Sequence, residues 1–222
     1  MSKSIREHLD TSGLFRDFPE SAKKKLAKLC RIQTFQHEDT IYQLGDKPTA
    51  LYGVIDGAIK LIGETPDGKF FLYELASPGQ WFGETSAIDG QPRAQTARAV
   101  GEIHVVRLLR EDLLALLASQ PDLYRHFVTV LCSRLRRAGA ALEETAFLPI
   151  SIRLARTLVR MHRVREKHQI KLSQEEIAAS LGVTRQSIHR VMKKWNEKGY
   201  VSIEYGNVKV LQPNLLKQEI KN

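Results

Sequence analysis

The chain has 222 residues, of which 34 are Lys or Arg and 25 are Asp or Glu, giving a formal net charge of +9 with His neutral. Hydrophobic residues make up 42% and charged residues 27%, the composition of a folded globular chain, which excludes a disordered, collagen-like or disulfide-stapled protein. No run approaches the roughly 18 uninterrupted apolar residues of a membrane span, and the opening residues lack the apolar stretch of a secretory signal, so a cytoplasmic protein without a membrane partner is expected. Two cysteines, Cys30 and Cys132, are too few and too far apart for a zinc site, an iron–sulfur cluster or a disulfide framework.

In chain order, residues 20–30 place Ala22, Leu26, Leu29 and Cys30 on one side and three lysines elsewhere, which predicts an amphipathic helix. From Ile41 to Leu109, short apolar runs alternate with glycines and turn residues every 8 to 12 positions, the pattern of an antiparallel barrel or sandwich. Gly63 to Phe70 nearly spells a P-loop. The last position is Phe instead of Ser or Thr, so the magnesium-binding hydroxyl is missing, and Pro66-Asp67-Gly68 is expected to be a hairpin turn. A long helix follows over about 121–146, with Ser119 predicted as its N-cap and Pro121 in its first turn. Along it Val128, Leu131, Leu135, Ala138, Leu142 and Thr145 alternate spacings of three and four, the seam of a helix that pairs with another helix, expected to be that of a second copy in a parallel homodimer in preference to packing on the chain's own barrel.

The charge is unevenly placed. Residues 1–146 hold 19 basic and 19 acidic side chains, and residues 147–222 hold 15 and 6, so the whole excess lies in the last third, as expected of a domain that meets a polyanion. There a helix over about 150–165 precedes a capping box, Ser173 to Glu176, and a second helix. With Gln174 as position one, Ala178 and Gly182 fall at five and nine. A small residue at five admits a crossing helix, and glycine at nine supplies the positive φ of a tight turn. Ile177, Leu181, Ile188 and Val191 are expected to close the core between the two helices. Thr184 caps the second helix, and Arg185, Gln186, His189 and Arg190 form its outer face, which predicts a helix-turn-helix that enters the major groove of double-stranded DNA. Residues 200–211 alternate around Gly206-Asn207, a hairpin that would serve as a wing. Arg185 and Arg190 can fork onto guanine and Gln186 can pair with adenine, and His189 can reach a base or phosphate. Ser173, Thr184, Ser187, Lys193 and Lys209 complete the candidate DNA-contacting set, and Lys194 and Lys198 are further candidates for backbone positioning.

Taken together, these motifs and Phe82-Gly83-Glu84-Thr85-Ser86-Ala87 followed by Pro92-Arg93-Ala94-Gln95-Thr96-Ala97 resemble the Crp/Fnr family of bacterial transcription regulators, over residues 14–211. The resemblance implies a phosphate-binding cassette for a cyclic nucleotide. Gly83 would open a short helix toward the anion, Arg93 would fork onto the cyclic phosphate, and Glu84 would accept from a ribose hydroxyl. By the same resemblance Leu61 and Tyr73 would line the pocket, with Phe82, Thr85, Ser86 and Ala94 around it, and Arg134 would approach the phosphate side. The chain departs from the family's best-known pattern at Ala94, where that pattern has a phosphate-binding Ser although the regulatory subunits of cyclic-AMP-dependent kinases also carry Ala, and at Ala138 and Gly139, where a Thr and Ser pair holds the adenine. The base of the effector therefore stays open among cyclic AMP, cyclic GMP, another ligand or none. Neither an iron–sulfur cluster nor heme is expected: residues 1–29 contain no Cys, and His37, His104 and His126 have no ligand-like mutual spacing.

The expected fold is α+β: an antiparallel β-roll of the cyclic-nucleotide-binding type over 1–118, a dimerisation helix over 119–146 and a winged helix-turn-helix over 147–222. The expected function is a homodimeric, non-enzymatic regulator of a palindromic operator. It would have no metal or covalent cofactor, cyclic AMP or a similar small molecule as effector, and RNA polymerase as a further partner. The shortened loop after the 150–165 helix leaves activation and repression both open.

Overall fold

The computed structural model describes residues 4–65, 70–168, 172–204 and 206–220. It divides into two units, residues 1–63 with 75–137, and residues 64–74 with 138–222.

The first unit opens with α1 (Ile5–Thr11), capped reciprocally by Ser4 and Glu7, and α2 (Glu20–Leu29), where a helix is predicted. The strands of this part of the chain are β1 (Arg31–Phe35), β2 (Thr40–Tyr42), β3 (Ala50–Glu64), β4 (Phe70–Ala76, of which residues 70–74 are grouped with the second unit), β5 (Trp81–Phe82) and β6 (Thr96–Leu109), with the short helix α3 (Glu84–Asp89) between the last two. They form one antiparallel sheet ordered β1-β6-β3-β4, with β2 also on β6 and β5 also on β3. The predicted turn at Pro66-Asp67-Gly68 lies outside the described residues.

Side-chain parity along β3 explains how a single strand serves two cores. Leu51 and Ile55 join Phe15, Leu26, Leu113 and Leu117 in a helix-backed cluster, and Tyr52 and Val54 face the interior of the roll. Register shifts on either side of Asp56, with Gly57 at φ 74°, then insert an extra residue. The insertion flips the parity, so the odd positions Ile59 and Leu61 enter the same interior as the even Tyr52 and Val54.

After β6 come α4 (Arg110–Ser119), a single 3₁₀ turn at Pro121–Leu123 and α5 (Tyr124–Phe147). The expectation that Ser119 caps the long helix is incorrect. Ser119 is the last residue of α4, and its hydroxyl donates back to the Leu116 carbonyl at 2.8 Å. Gln120 is driven out of the helical region because it precedes Pro121, so α4 stops there and the long helix begins only after the turn has buried Leu123. On α5 Phe127 alone is fully buried among the described side chains.

The second unit contains α6 (Ile150–His168), α7 (Gln174–Leu181), α8 (Arg185–Glu197), β7 (Val201–Glu204), β8 (Asn207–Val210) and α9 (Pro213–Glu219). Leu154, Leu158, Ile177, Ala178, Leu181, Ile188, Met192, Trp195, Val208 and Leu216 are buried. Val191, predicted as core, is only half-buried. Met192 and Trp195 fill the space because α8 continues for another turn on the 188–192–195 stripe. Glu204 pairs with Asn207, so Asn207 stands in the strand and not, as expected, at the tip of the wing.

Candidate effector site and DNA-binding surface

In the first unit, β5 delivers Phe82 to the roll interior and ends at Gly83, whose φ of 79° places it as the N-cap of α3. Glycine is required here twice over, because a Cβ would also meet Arg93 Nη1 at 2.5 Å. Arg93 is 2% exposed and donates from Nη1 to the Gly83 carbonyl at 2.9 Å and from Nη2 to the Ala50 carbonyl. Its guanidinium lies 4.1 Å from the centre of the Tyr42 ring, and its Nε has no hydrogen-bond partner. The Arg93 backbone is tied on both sides, its N–H to the Asp46 carbonyl and its carbonyl to the Gly45 N–H. Among the described residues Arg93 forms no ion pair with a carboxylate, and burial pulls its pKa below the ordinary arginine value.

Tyr42, Tyr52 and Phe82 stack around this group with ring centres 5.6 to 6.0 Å apart, and burial pushes the Tyr42 phenol well above its usual range, so it stays neutral. Neither tyrosine is flagged by a motif. Only their strand parity, toward the same interior as Leu61, could have marked them. Glu84 is also 2% exposed, and its Oε1 lies 2.6 Å from Nε of Arg134 on α5. Arg134 donates in addition to the Trp81 carbonyl at 3.0 Å. Ser86 is buried and donates to the Pro92 carbonyl at 3.2 Å.

The structure thus brings together Phe82, Gly83, Glu84, Ser86, Arg93 and Arg134 in one unit, with Leu61 buried in the same roll. Thr85 and Ala94 are exposed, and Tyr73 is 57% exposed with its ring edge-on to Phe71. Chemically, the cassette is a desolvated guanidinium beside an acid already paired to the long helix.

In the second unit, the predicted capping box is present: Ser173 Oγ accepts from the Glu176 N–H at 3.2 Å, and the Glu176 carboxylate accepts from the Ser173 N–H at 2.7 Å. Gly182, at φ 64°, ends α7 and donates to the Ala179 carbonyl. Arg153 on α6, which sequence reasoning did not single out, donates to the Leu181 carbonyl at 2.7 Å and so satisfies an orphan acceptor at that helix end. Thr184 caps α8 as predicted, accepting from the Ser187 N–H at 3.2 Å, and the two hydroxyls lie 2.9 Å apart. Ser187 is therefore engaged in the cap.

Arg185, Gln186, His189 and Arg190 are exposed on one face of α8 and line an open depression of about 450 Å³. Arg185 and Arg190 make no ion pair among the described residues, and Lys193 and Lys194 extend the face, both exposed. His189 is held at Nδ1, 3.1 Å from the side-chain oxygen of Gln174. On the wing, Lys209 is exposed and paired with Glu204 at 3.0 Å across the hairpin. No group of three or more potential metal ligands occurs among the described residues, and none of their helices is long and apolar enough to cross a membrane.

Comparison with known proteins agrees with both halves. Residues 32–120 match the cyclic nucleotide-binding domain and residues 152–219 the Crp-like helix-turn-helix domain. These define a transcription regulator in which a cyclic-nucleotide-binding fold precedes a DNA-binding helix-turn-helix. The chain is 31% identical over 200 residues to the cyclic AMP receptor protein of Thermus thermophilus, covering 90% of this chain and 92% of that protein. It is 28% identical over 207 residues to a CRP-like cAMP-activated global transcriptional regulator of Mycobacterium tuberculosis, covering 89% and 92%. The solved Thermus thermophilus catabolite activator protein superposes with a TM-score of 0.55 at 28% identity, covering 95% of this chain and 99% of that one. A Crp/Fnr-family regulator of the same organism gives 0.72 at 23% identity, covering 86% and 99%, a likeness of fold. The chain belongs to the Crp/Fnr family of transcription regulators.

Proposed function

We propose that the protein is a homodimer that binds a palindromic operator under the control of a cyclic nucleotide, cyclic AMP foremost, held in the β-roll. The observation that carries effector control is Arg93. A cation this deeply buried without a carboxylate is costly unless an anion completes it, and its open Nε together with the Gly83 turn suits a cyclic phosphate. Glu84, Arg134, Ser86, Leu61, Phe82 and Gly83 would surround the ligand, with Thr85 and Ala94 at its outer side. Two relatives named for cyclic AMP support that nucleotide as the first to test.

Dimerisation through α5 is supported by its exposed seam, in which Val128, Leu135 and Leu142 are 55%, 73% and 73% exposed, with Leu131 and Ala138 between them. Two recognition helices related by a two-fold would enter successive major grooves about 34 Å apart, on half-sites centred roughly 10 to 11 base pairs apart. Ligand would act by its differential affinity for arrangements of the long helices that do and do not present that spacing. RNA polymerase follows as the partner of a promoter-bound regulator, and the cytoplasm as its location. The test is binding to a randomised palindromic duplex pool with and without cyclic AMP or cyclic GMP. Enrichment of one motif that depends on a nucleotide bears the reading out, and selection indifferent to both nucleotides overturns effector control by them.

Two substitutions separate base reading from backbone positioning. Arg190→Ala is expected to cost about 1 to 3 kcal/mol on the selected operator and to relax choice at a single base position, measured by competition between point-variant duplexes. Lys209→Ala is expected to weaken all duplexes alike and to reduce the slope of log affinity against log salt by about one, and a sequence-selective loss would contradict the wing assignment.

A further inference from the structure

The buried polar contact between α7 and α8 bears on what the DNA-binding face can read. Ser173 and Glu176 cap the start of α7 between them, so the side chain of Gln174, the first residue of that helix, is not needed there. Gln174 is 9% exposed, and its amide oxygen lies 3.1 Å from His189 Nδ1. An amide oxygen can only accept, so a hydrogen bond with the oxygen facing the ring requires the tautomer that carries its proton on Nδ1. A neutral imidazole carries one N–H, and Nε2 is therefore left with a lone pair. His189 is exposed and shares its helix face with Arg185, Gln186 and Arg190.

We propose that Gln174 is a positioning residue that makes His189 a hydrogen-bond acceptor toward the major groove, so that His189 selects a base with an amino group on its major-groove edge, adenine or cytosine, over guanine or thymine. The inference rests on the DNA-binding reading and adds a specificity element to it. In the major groove adenine N6 and cytosine N4 are the donors, and guanine presents only acceptors and thymine an acceptor and a methyl group. Every base pair presents one amino group in the major groove, so an acceptor at this place reports which strand bears it. The arginines on the same face do the opposite, since they can only donate and so favour guanine. A phosphate contact is the poorer use of this ring, because phosphate oxygens also only accept and would face the Nε2 lone pair.

The test is selection from a random duplex pool at about pH 8, with and without saturating cyclic AMP. One base position should lose its preference in His189→Ala, and there the parent protein should favour adenine or cytosine over guanine or thymine on one strand by about 2- to 10-fold, the worth of one hydrogen bond. Gln174→Met, similar in length and unable to accept comparably, should bring that ratio toward one while leaving the Arg190-dependent position intact, and should add nothing in a His189→Ala background. Independently of DNA, heteronuclear NMR of the imidazole nitrogens should show the proton on Nδ1 in the free protein and its redistribution in Gln174→Met, a signature that a merely structural role would not move. A guanine or thymine preference, a ratio unchanged by Gln174→Met, a uniform loss on all duplexes in His189→Ala, or a proton on Nε2 each overturns the inference alone. Selection of no motif in either condition would overturn the operator reading as well.

Discussion

Arg93→Ala is expected to weaken cyclic-nucleotide binding by at least about 30-fold, the equivalent of roughly 2 kcal/mol, and up to about 5 kcal/mol. The reason lies in where the guanidinium sits. Its burial has already been met by folding, and its hydrogen bonds to the Gly83 and Ala50 carbonyls aim it beside the turn where α3 begins. A phosphate arriving there replaces little water and gains a charge-assisted contact, so its loss costs far more than that of a surface arginine. The substitution also removes the buried side chain that bonds the Gly83 and Ala50 carbonyls, so the melting temperature of the unliganded protein should fall. The discriminating readout is therefore the ligand-dependent shift. At a nucleotide concentration 100 times its Kd the parent gains about 2.7 kcal/mol of stability, and Arg93→Ala at the same concentration gains a small fraction of that. Calorimetric titration with cyclic AMP and cyclic GMP gives the affinities directly. Unchanged affinity in the variant would place the ligand elsewhere, and no heat with the parent would mean that the missing side chains at Ala138 and Gly139 outweigh the cassette.

The second large effect is expected from Leu135→Asp combined with Leu142→Asp. Both leucines are 73% exposed on α5, and a two-fold seam buries each of them twice. Four leucines at roughly 1.5 kcal/mol or more each correspond to on the order of 10⁴-fold in the dimer dissociation constant, before the cost of burying aspartates is added. Sedimentation or light scattering should find a monomer at micromolar concentration where the parent is a dimer. Affinity for a full palindrome should collapse toward that for a half-site, because the second recognition helix no longer arrives tethered to the first. Phe127 holds α5 to its own unit and is untouched, so the fold of that unit should survive. A variant that remains dimeric would show that the copies meet through another surface.

Much of this molecule was legible in short-range sequence signals. The helix-turn-helix was readable because each of its parts is a local device. Ser173 with Glu176, Gly182 and Thr184 act within four residues of themselves, and the structure places all three in their expected roles. The helix start at Gly83, by contrast, was marked by the resemblance to the family. The boundary between α4 and α5 was misread because Ser119 and Pro121 do form a plausible N-terminus in isolation. What decides otherwise is that α4 continues to Ser119 and that Leu123 buries in the helix-backed core, a contact between distant parts of the chain. Val191 gave way to Met192 and Trp195 on similar grounds, since helical spacing gives a stripe but not which of its edges faces the neighbour.

By itself, then, the sequence determined the class of protein: a β-rich unit with a cassette, a long helix with an apolar seam, and a basic helix-turn-helix unit. Composition, periodicity and capping chemistry are properties of neighbouring residues and need no third dimension. The tertiary structure alone decided what the functional side chains are doing. It turned Arg93 inward onto two carbonyls and the face of Tyr42, tied Glu84 to Arg134 from a helix fifty residues away, recruited Arg153 to the end of α7, and set Nδ1 of His189 against the Gln174 side chain. Each of these is a polar group removed from water, which must find its partner wherever the fold brings one, at any distance along the chain.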